Sequence, residues 1–239
     1  MNKRLQFFIE RTNQRYQLSE KDYYDSVSFH DKYLYYPLHV QPEYSIDVRG
    51  TLWTNQIHTI ELLSKSIPCD WLLYVKEHPG LLVSRIRPPG FYDEIKKYPN
   101  VRFVNIFEDM HKLIVNAQMV AVVGGTAGWE AVQRGIPTIS FVSNIWDVLG
   151  LSRKCTDMEL LSKDIVDEIS RIKDISQSEK RKRLICYLAA ILRHSLHLTY
   201  PNQYVFTDRG TDHQYEVCGN EMAGALVKHL DYLKKESKF

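Results

Sequence analysis

Between residues 32 and 150 the chain repeats one pattern, a short apolar run followed by a turn and an amphipathic stretch. The apolar runs are 32–40, 70–79, 101–107, 119–125 and 137–142. The amphipathic stretches that follow the first four runs are 54–67, 91–99, 108–117 and 126–135. Strand-like runs that alternate with helical segments predict βαβ units, and therefore an α/β fold with a doubly wound parallel sheet. The runs contain few polar residues, which is typical of interior strands covered by helices on both faces.

The segments on either side of this core have different patterns. Residues 1–32 are polar and aromatic, with a short amphipathic stretch from Leu5 to Arg15, and are predicted to be a lead-in segment. After Gly150 the apolar positions recur at helical spacing, apart from a polar loop over 200–219. We therefore expect residues 151–239 to form extra helices that pack on the 33–150 core.

Composition narrows the range of partners. The chain has 31 basic and 29 acidic residues, a net charge of +2, so no basic surface for nucleic acid is indicated. No run of 18 apolar residues predicts a transmembrane segment, which favours a cytoplasmic protein, either free or peripheral to the inner membrane. The four cysteines are far apart and form no CxxC pair, so neither a zinc site nor a disulfide framework is predicted.

The most specific local signal is the glycine turn at the end of the fourth apolar run. Gly124 and Gly125 follow this run directly, and Thr126 opens the next helical stretch. Glycines at this point let the backbone approach a ligand, and the helix start offers free N–H groups to a phosphate. Thr126 can cap the helix and bond a phosphate oxygen, and Glu130 is placed to accept bonds from a ribose. The alternative is an ordinary capped helix with a solvated glutamate, and the motif alone leaves both readings open.

A second candidate lies at the end of the second apolar run. Lys76 and His78 precede Pro79, which ends the strand and bends the chain. Because open α/β sheets bind ligands at the carboxyl ends of their strands, both side chains are candidates for a phosphate contact. A solvated histidine at a strand end is the alternative.

The loop after the first run, residues 37–45, carries His39, Gln41 and Glu43. It is placed either to close over a bound sugar or to serve as a rigid strand exit, and the sequence does not separate the two. Other polar residues near the same edge have spacings that do not distinguish ligand contacts from solvated side chains: Arg85, Arg87, Asp109 and His111.

Three blocks, residues 35–43, 75–79 and 124–141, together resemble the capsule polysaccharide synthesis family, whose best known members are β-Kdo transferases. The resemblance covers about residues 33–150. It implies a GT-B glycosyltransferase fold, of which this chain would be the Rossmann-like half that binds the nucleotide-sugar donor. It further implies CMP-Kdo or a related nucleotide sugar as the donor substrate, and neither a metal nor another cofactor.

The resemblance also implies roles for individual residues. His78, Lys76, Gly124, Gly125 and Thr126 would hold the donor phosphate. Glu130 would bond the ribose or nucleotide, and Gln41 and Glu43 would line the donor pocket. No catalytic residue is assigned, because the base or nucleophile of such enzymes usually lies in the acceptor-side half.

That acceptor-side domain precedes the first strand in such enzymes, whereas only about 32 residues precede it here. Three arrangements stay open: a fragment of a transferase, a chain whose partner supplies the acceptor half, and a non-catalytic nucleotide-sugar-binding or assembly module. A sugar-nucleotide epimerase of the same fold is a further alternative. The glycan acceptor would be bound by another domain or chain.

Overall fold

A computed structural model describes residues 3–81, 87–194, 216–217 and 220–228. The chain divides into two compact units, Met1–Leu184 and Ile185–Phe239. The first unit contains all six strands of the described residues and every candidate site residue considered below. In the second unit, residues 220–228 are helical.

The first unit is built from alternating strands and helices. The strands are β1 (Tyr33–Pro37), β2 (Leu72–Lys76), β3 (Val101–Val104), β4 (Met119–Val122), β5 (Thr138–Ser140) and β6 (Arg153–Lys154). The helices are α1 (Lys3–Ser19), α2 (Gln56–Ser66), α3 (Phe91–Lys96), α4 (Met110–Asn116), α5 (Thr126–Gln133), α6 (Leu161–Asp174) and α7 (Gln177–His194), the last of which runs into the second unit.

All strand pairs are parallel, and the strand order is β3-β2-β1-β4-β5-β6. This confirms the predicted doubly wound α/β fold. The chain builds outward from β1 to β3, returns, and continues from β4 in the opposite direction. The order therefore reverses between β1 and β4, and their carboxyl ends form the switch point where such sheets bind ligands.

The sheet has a hydrophobic core on each face. Side chains alternate along a strand, so Tyr33 and Tyr35 of β1 face one core and Leu34 and Tyr36 face the other. The core with Tyr33 and Tyr35 also takes buried side chains of α4 and α5, and the other takes those of α2, α3 and α6. Burial on both faces explains the nearly continuous apolar runs.

Two features differ from the sequence pattern. A sixth strand, β6, lies beyond Gly150, where only helices were expected; at two residues it is too short to give a periodic signal. In the lead-in segment, Leu18 is 1% exposed and belongs to the core with α2 and α3. The first 32 residues therefore contribute to the core of the first unit.

The segment 151–184 belongs to the first unit, whereas most of 185–239 falls outside the described residues. The expectation that 151–239 packs as a whole on the core stays a prediction. Among the helices that the structure describes, none combines the length and the hydropathy of a membrane-spanning segment.

Candidate functional site

Three candidate segments follow strands that end at the same edge of the sheet. His39 follows β1, His78 follows β2, and Gly124 follows β4. Because β2, β1 and β4 are neighbours and parallel, these residues share the carboxyl edge on either side of the switch point. Residues up to 85 positions apart in sequence are thus placed at the edge where this class of fold binds ligands.

The glycine turn has the backbone that its sequence predicts. Gly125 is the N-cap of α5 with φ 137°, a backbone conformation that residues other than glycine rarely adopt. Thr126 is consequently the first residue of the helix, and no side chain caps α5. The expectation that Thr126 caps the helix is wrong, because the glycine already occupies the capping position. Gly125 and Thr126 are exposed, whereas Ala127 and Gly128 are buried, so α5 reaches solvent at its first residue.

Close packing beneath this turn depends on Gly128, one turn into α5. A Cβ atom added there would lie 2.7 Å from Cγ2 of Val122 and 3.3 Å from the ring of Trp146. Gly128 therefore lets α5 lie directly on β4, as the last glycine of dinucleotide-binding turns does. The sequence interpretation missed this residue, although its spacing after Gly124 and Gly125 was a usable signal.

His39 is buried beside the turn. Its Nε2 accepts a hydrogen bond from the backbone N–H of Val123 at 3.2 Å, which joins the loop after β1 to the end of β4. Its backbone N–H and C=O are both bonded to the side-chain amide of Gln56. Burial, reinforced by the neighbouring charges of His78 and Arg87, lowers the pKa of His39 to about 4. His39 is therefore neutral at pH 7.

His78 is exposed and held in one orientation. Its Nδ1 accepts a hydrogen bond from the backbone N–H of Gly80 at 3.0 Å. In the neutral ring this bond assigns the proton to Nε2, so the exposed side of the ring presents an N–H donor. Packing of the chain around the ring lowers the pKa of His78, although the carboxylates of Glu77 and Glu43 oppose this effect.

Lys76, the last residue of β2, is only 4% exposed. Burial lowers the pKa of its ammonium group, whereas Glu77, Glu108 and Asp109 favour the charged form. The last two carboxylates follow β3. The three carboxylates therefore offset part of the effect of burial on the charge of Lys76. Its contact with a phosphate stays a prediction.

A buried ion pair fixes the backbone around the two histidines. Glu77 and Arg87 form two hydrogen bonds of 2.8 Å, and the hydroxyl of Tyr92 donates to Glu77 at 2.9 Å. The guanidinium also donates to the backbone C=O of His39 at 2.7 Å. The side chains of Glu77 and Arg87 are 0% and 3% exposed. The pair therefore joins the loops after β1 and β2 in one rigid network.

Sequence reasoning missed this network. Glu77 continues the alternation of Leu73 and Val75 onto a buried face, which was a local signal for burial. Arg87 carried no comparable signal, and Arg85 lies outside the described residues.

The structure places Gln41 and Glu43 differently from each other. The side-chain amide of Gln41 donates to Asp47 and to the C=O of Thr54, both at 3.0 Å, and accepts from Gln56 at 2.6 Å. Gln41 is thus committed to the internal support of its loop. Glu43 is exposed, and its charge acts on His78. The role of either in lining a donor pocket stays a prediction.

Glu130 lies next to two basic side chains. Its Oε2 is 2.8 Å from Nδ1 of His111, which follows the N-cap Asp109 of α4, and 3.7 Å from Arg134. His111 is thus in contact with Glu130, which the spacing of the two residues in the sequence did not predict. Glu130 is 21% exposed on α5, so its contact with a ribose also stays a prediction.

A cavity of about 600 Å³ lies at the carboxyl ends of β5 and β6 and is lined by residues 49–53, 141–143 and 154–158. Two of its lining residues pack against the end of β4 and the turn that follows it. A Cβ atom added at Gly124 would contact the lining residue Val142, and a Cβ atom added at the lining residue Gly50 would contact Val123. Arg49 and Lys154 supply positive charge to its wall, and Asp157 supplies a negative charge. Its volume lies within the range of ligand pockets, about 300–1,000 Å³. Among the residues that the structure describes, no group of three or more acidic, histidine or cysteine side chains is arranged to hold a metal ion.

No family model matches the chain, and no curated protein matches it. Solved structures with similar folds include the Thermosulfurimonas dismutans KpsC β-Kdo 2,7 transferase, with a TM-score of 0.44, 16% identity, and coverage of 64% of this chain and 50% of that chain. A Methanocaldococcus jannaschii UDP-GlcNAc 2-epimerase has a TM-score of 0.44 and 14% identity over 77% of this chain and 49% of that chain. The spinosyn rhamnosyltransferase SpnG has a TM-score of 0.43 and 12% identity over 70% of this chain and 45% of that chain. The chain thus spans about half the length of each of these structures, and the similarity concerns the fold.

Proposed function

We propose that the chain binds a nucleotide-activated sugar at the switch point and acts as the donor-binding part of a glycosyltransferase for capsule or surface polysaccharide. CMP-Kdo or a related nucleotide sugar is the proposed donor. The observation that carries this proposal is the turn Gly124–Thr126, which starts α5 without a side-chain cap at the carboxyl end of β4, the neighbour of β1. A helix start in this position favours a phosphate through free donors and the helix dipole.

The side chain of His78 and the nearby cavity complete the proposed donor site. The Nε2–H of His78 donates to the same phosphate, and the cavity accommodates the nucleoside or sugar. When the sugar leaves, charge develops on the phosphate, and donors already fixed in place stabilise that charge without reorganising. This mechanism requires no metal ion, and the acceptor glycan is bound by another domain or chain.

The alternative is a non-catalytic nucleotide-sugar-binding or assembly module that partners a complete transferase. Both functions require nucleotide binding, and only the first requires glycosyl transfer.

Calorimetric titration with CMP, UDP, GDP and ADP tests the shared requirement. We expect at least one nucleotide to bind, and we expect His78→Ala to weaken it about tenfold to a hundredfold, because a hydrogen bond to a charged group contributes roughly 1.5–3 kcal/mol. His58→Ala on the exposed face of α2 is the matched control and should bind like wild type. Binding of none of the four nucleotides by folded wild type would contradict the proposed function.

Transfer is tested separately, by incubating the chain with the sugar nucleotide that corresponds to the best ligand. Release of free nucleotide above the buffer rate, reduced in the His78 variant, supports the glycosyltransferase. Tight nucleotide binding without release, with and without candidate acceptors, supports the assembly module.

A further inference from the structure

His39 is a buried polar side chain with an unused donor at the switch point. Only 9% of the residue is exposed. Its Nε2 bonds to the N–H of Val123, and among residues 3–81, 87–194, 216–217 and 220–228 its Nδ1 has no hydrogen-bond partner. Nδ1 is not among the side-chain atoms of the described residues that are sealed from solvent without a partner, so this donor is accessible and a ligand can reach it.

The proton of the ring is assigned by two facts. Burial lowers the pKa of His39 to about 4, so the ring carries a single proton at pH 7. Because Nε2 accepts from the backbone N–H of Val123, that proton is on Nδ1. His39 therefore presents Nδ1–H as a fixed, uncharged donor.

This donor lies beside the start of α5. A Cβ atom added at Gly125 would be 3.4 Å from Cε1 of His39 and 3.8 Å from Nδ1. Gly125 is the N-cap of α5, an eight-residue helix that has no side-chain cap and whose first residue, Thr126, is exposed. The absence of a side chain at Gly125 thus leaves the Nδ1 edge of the ring open next to the free amides.

We propose that His39 donates a hydrogen bond from Nδ1 to a phosphoryl oxygen bound at the start of α5. The inference rests on the proposed function for the identity of the nucleotide, and on the geometry alone for the phosphoryl group. In this arrangement Nδ1–H of His39 and the amides of α5 donate to the same phosphoryl oxygen. The oxygen is then held between the loop after β1 and the turn after β4.

Two substitutions separate the two hydrogen bonds of the ring. His39→Gln places an amide oxygen near the position of Nε2, so it keeps the acceptor for Val123 and removes the donor at Nδ1. His39→Asn places its amide nitrogen near the position of Nδ1, so it keeps the donor and removes the acceptor. We expect the Gln variant to unfold like wild type at neutral pH but to bind about tenfold more weakly, and the Asn variant to unfold earlier while keeping most of its affinity.

The experiment titrates wild type, both variants and the control His58→Gln with inorganic phosphate and with the four nucleotides. Long-range ¹H–¹⁵N correlation spectra report the protonation of each ring nitrogen, and thermal unfolding reports stability. In wild type we expect Nδ1 of His39 to be protonated at pH 7 and its signal to shift on addition of phosphate. A ring protonated on Nε2, or equal affinity of wild type and the Gln variant, would overturn the inference.

The outcomes distinguish this inference from the proposed function. If phosphate shifts His39 but no nucleotide binds, the inference stands and the proposed function fails. If a nucleotide binds wild type and the Gln variant equally, the function stands and the inference fails. If neither phosphate nor nucleotide binds, both fail.

Discussion

The buried, neutral His39 should make the protein sensitive to mild acid. In the folded state its pKa is about 4, and in the unfolded chain it returns to the ordinary value of 6.5. Between these values the unfolded chain binds a proton that the folded protein does not, so stability is complete above pH 6.5 and falls as the pH drops towards 4. The difference of about 2.5 pKa units corresponds to a loss of about 3 kcal/mol below pH 4 and of about 2 kcal/mol at pH 5.

Urea unfolding of wild type and His39→Gln at 25 °C and pH 5, 6, 7 and 8 isolates this contribution. Glutamine does not titrate, so carboxylates and other histidines that act equally in both proteins cancel in the difference. We expect wild type to lose about 2 kcal/mol more than the variant between pH 8 and pH 5. Parallel losses in the two proteins would show that the folded state does not lower the pKa of His39, and would refute the assignment of a buried, neutral ring.

Three further predictions concern the supports of the site. Glu77→Leu should lower the free energy of unfolding in urea by about 3–5 kcal/mol, because it leaves the buried Arg87 without its counter-charge. The double variant with Arg87→Leu should lose less than Glu77→Leu and Arg87→Leu together, and a loss equal to their sum would contradict the coupling. Gly125→Ala should lower the free energy of unfolding by about 1–3 kcal/mol, because alanine is strained at a φ of 137°, and calorimetry should show weaker phosphate binding. Gly90→Ala is the control: its φ is 76°, no atom lies near the added Cβ, and phosphate binding should be unchanged. Gly128→Ala should cost about 1–3 kcal/mol by overpacking against Val122, and thermal or urea unfolding should show a smaller cost in a Val122→Ala background.

The sequence alone was sufficient for the fold class and for the position of the glycine turn. Nearly continuous apolar runs with helical segments between them favour a sheet covered on both faces, because helices on each side bury both faces of every strand. The requirement for glycine at Gly125 is equally local, since it arises from the φ angle of a single residue. Both features depend on neighbours in the chain, which is the information that periodicity contains.

The tertiary structure decided the contacts that define the site. His39 meets Val123, 84 positions away, only because the sheet order makes β1 and β4 neighbours. The same packing turns Gln41 into an internal support and brings His111 to Glu130. Histidine, glutamine and glutamate have the same local sequence signals whether they contact solvent, ligand or one another. Their roles therefore follow from burial and from partners distant in sequence, which only the assembled sheet provides.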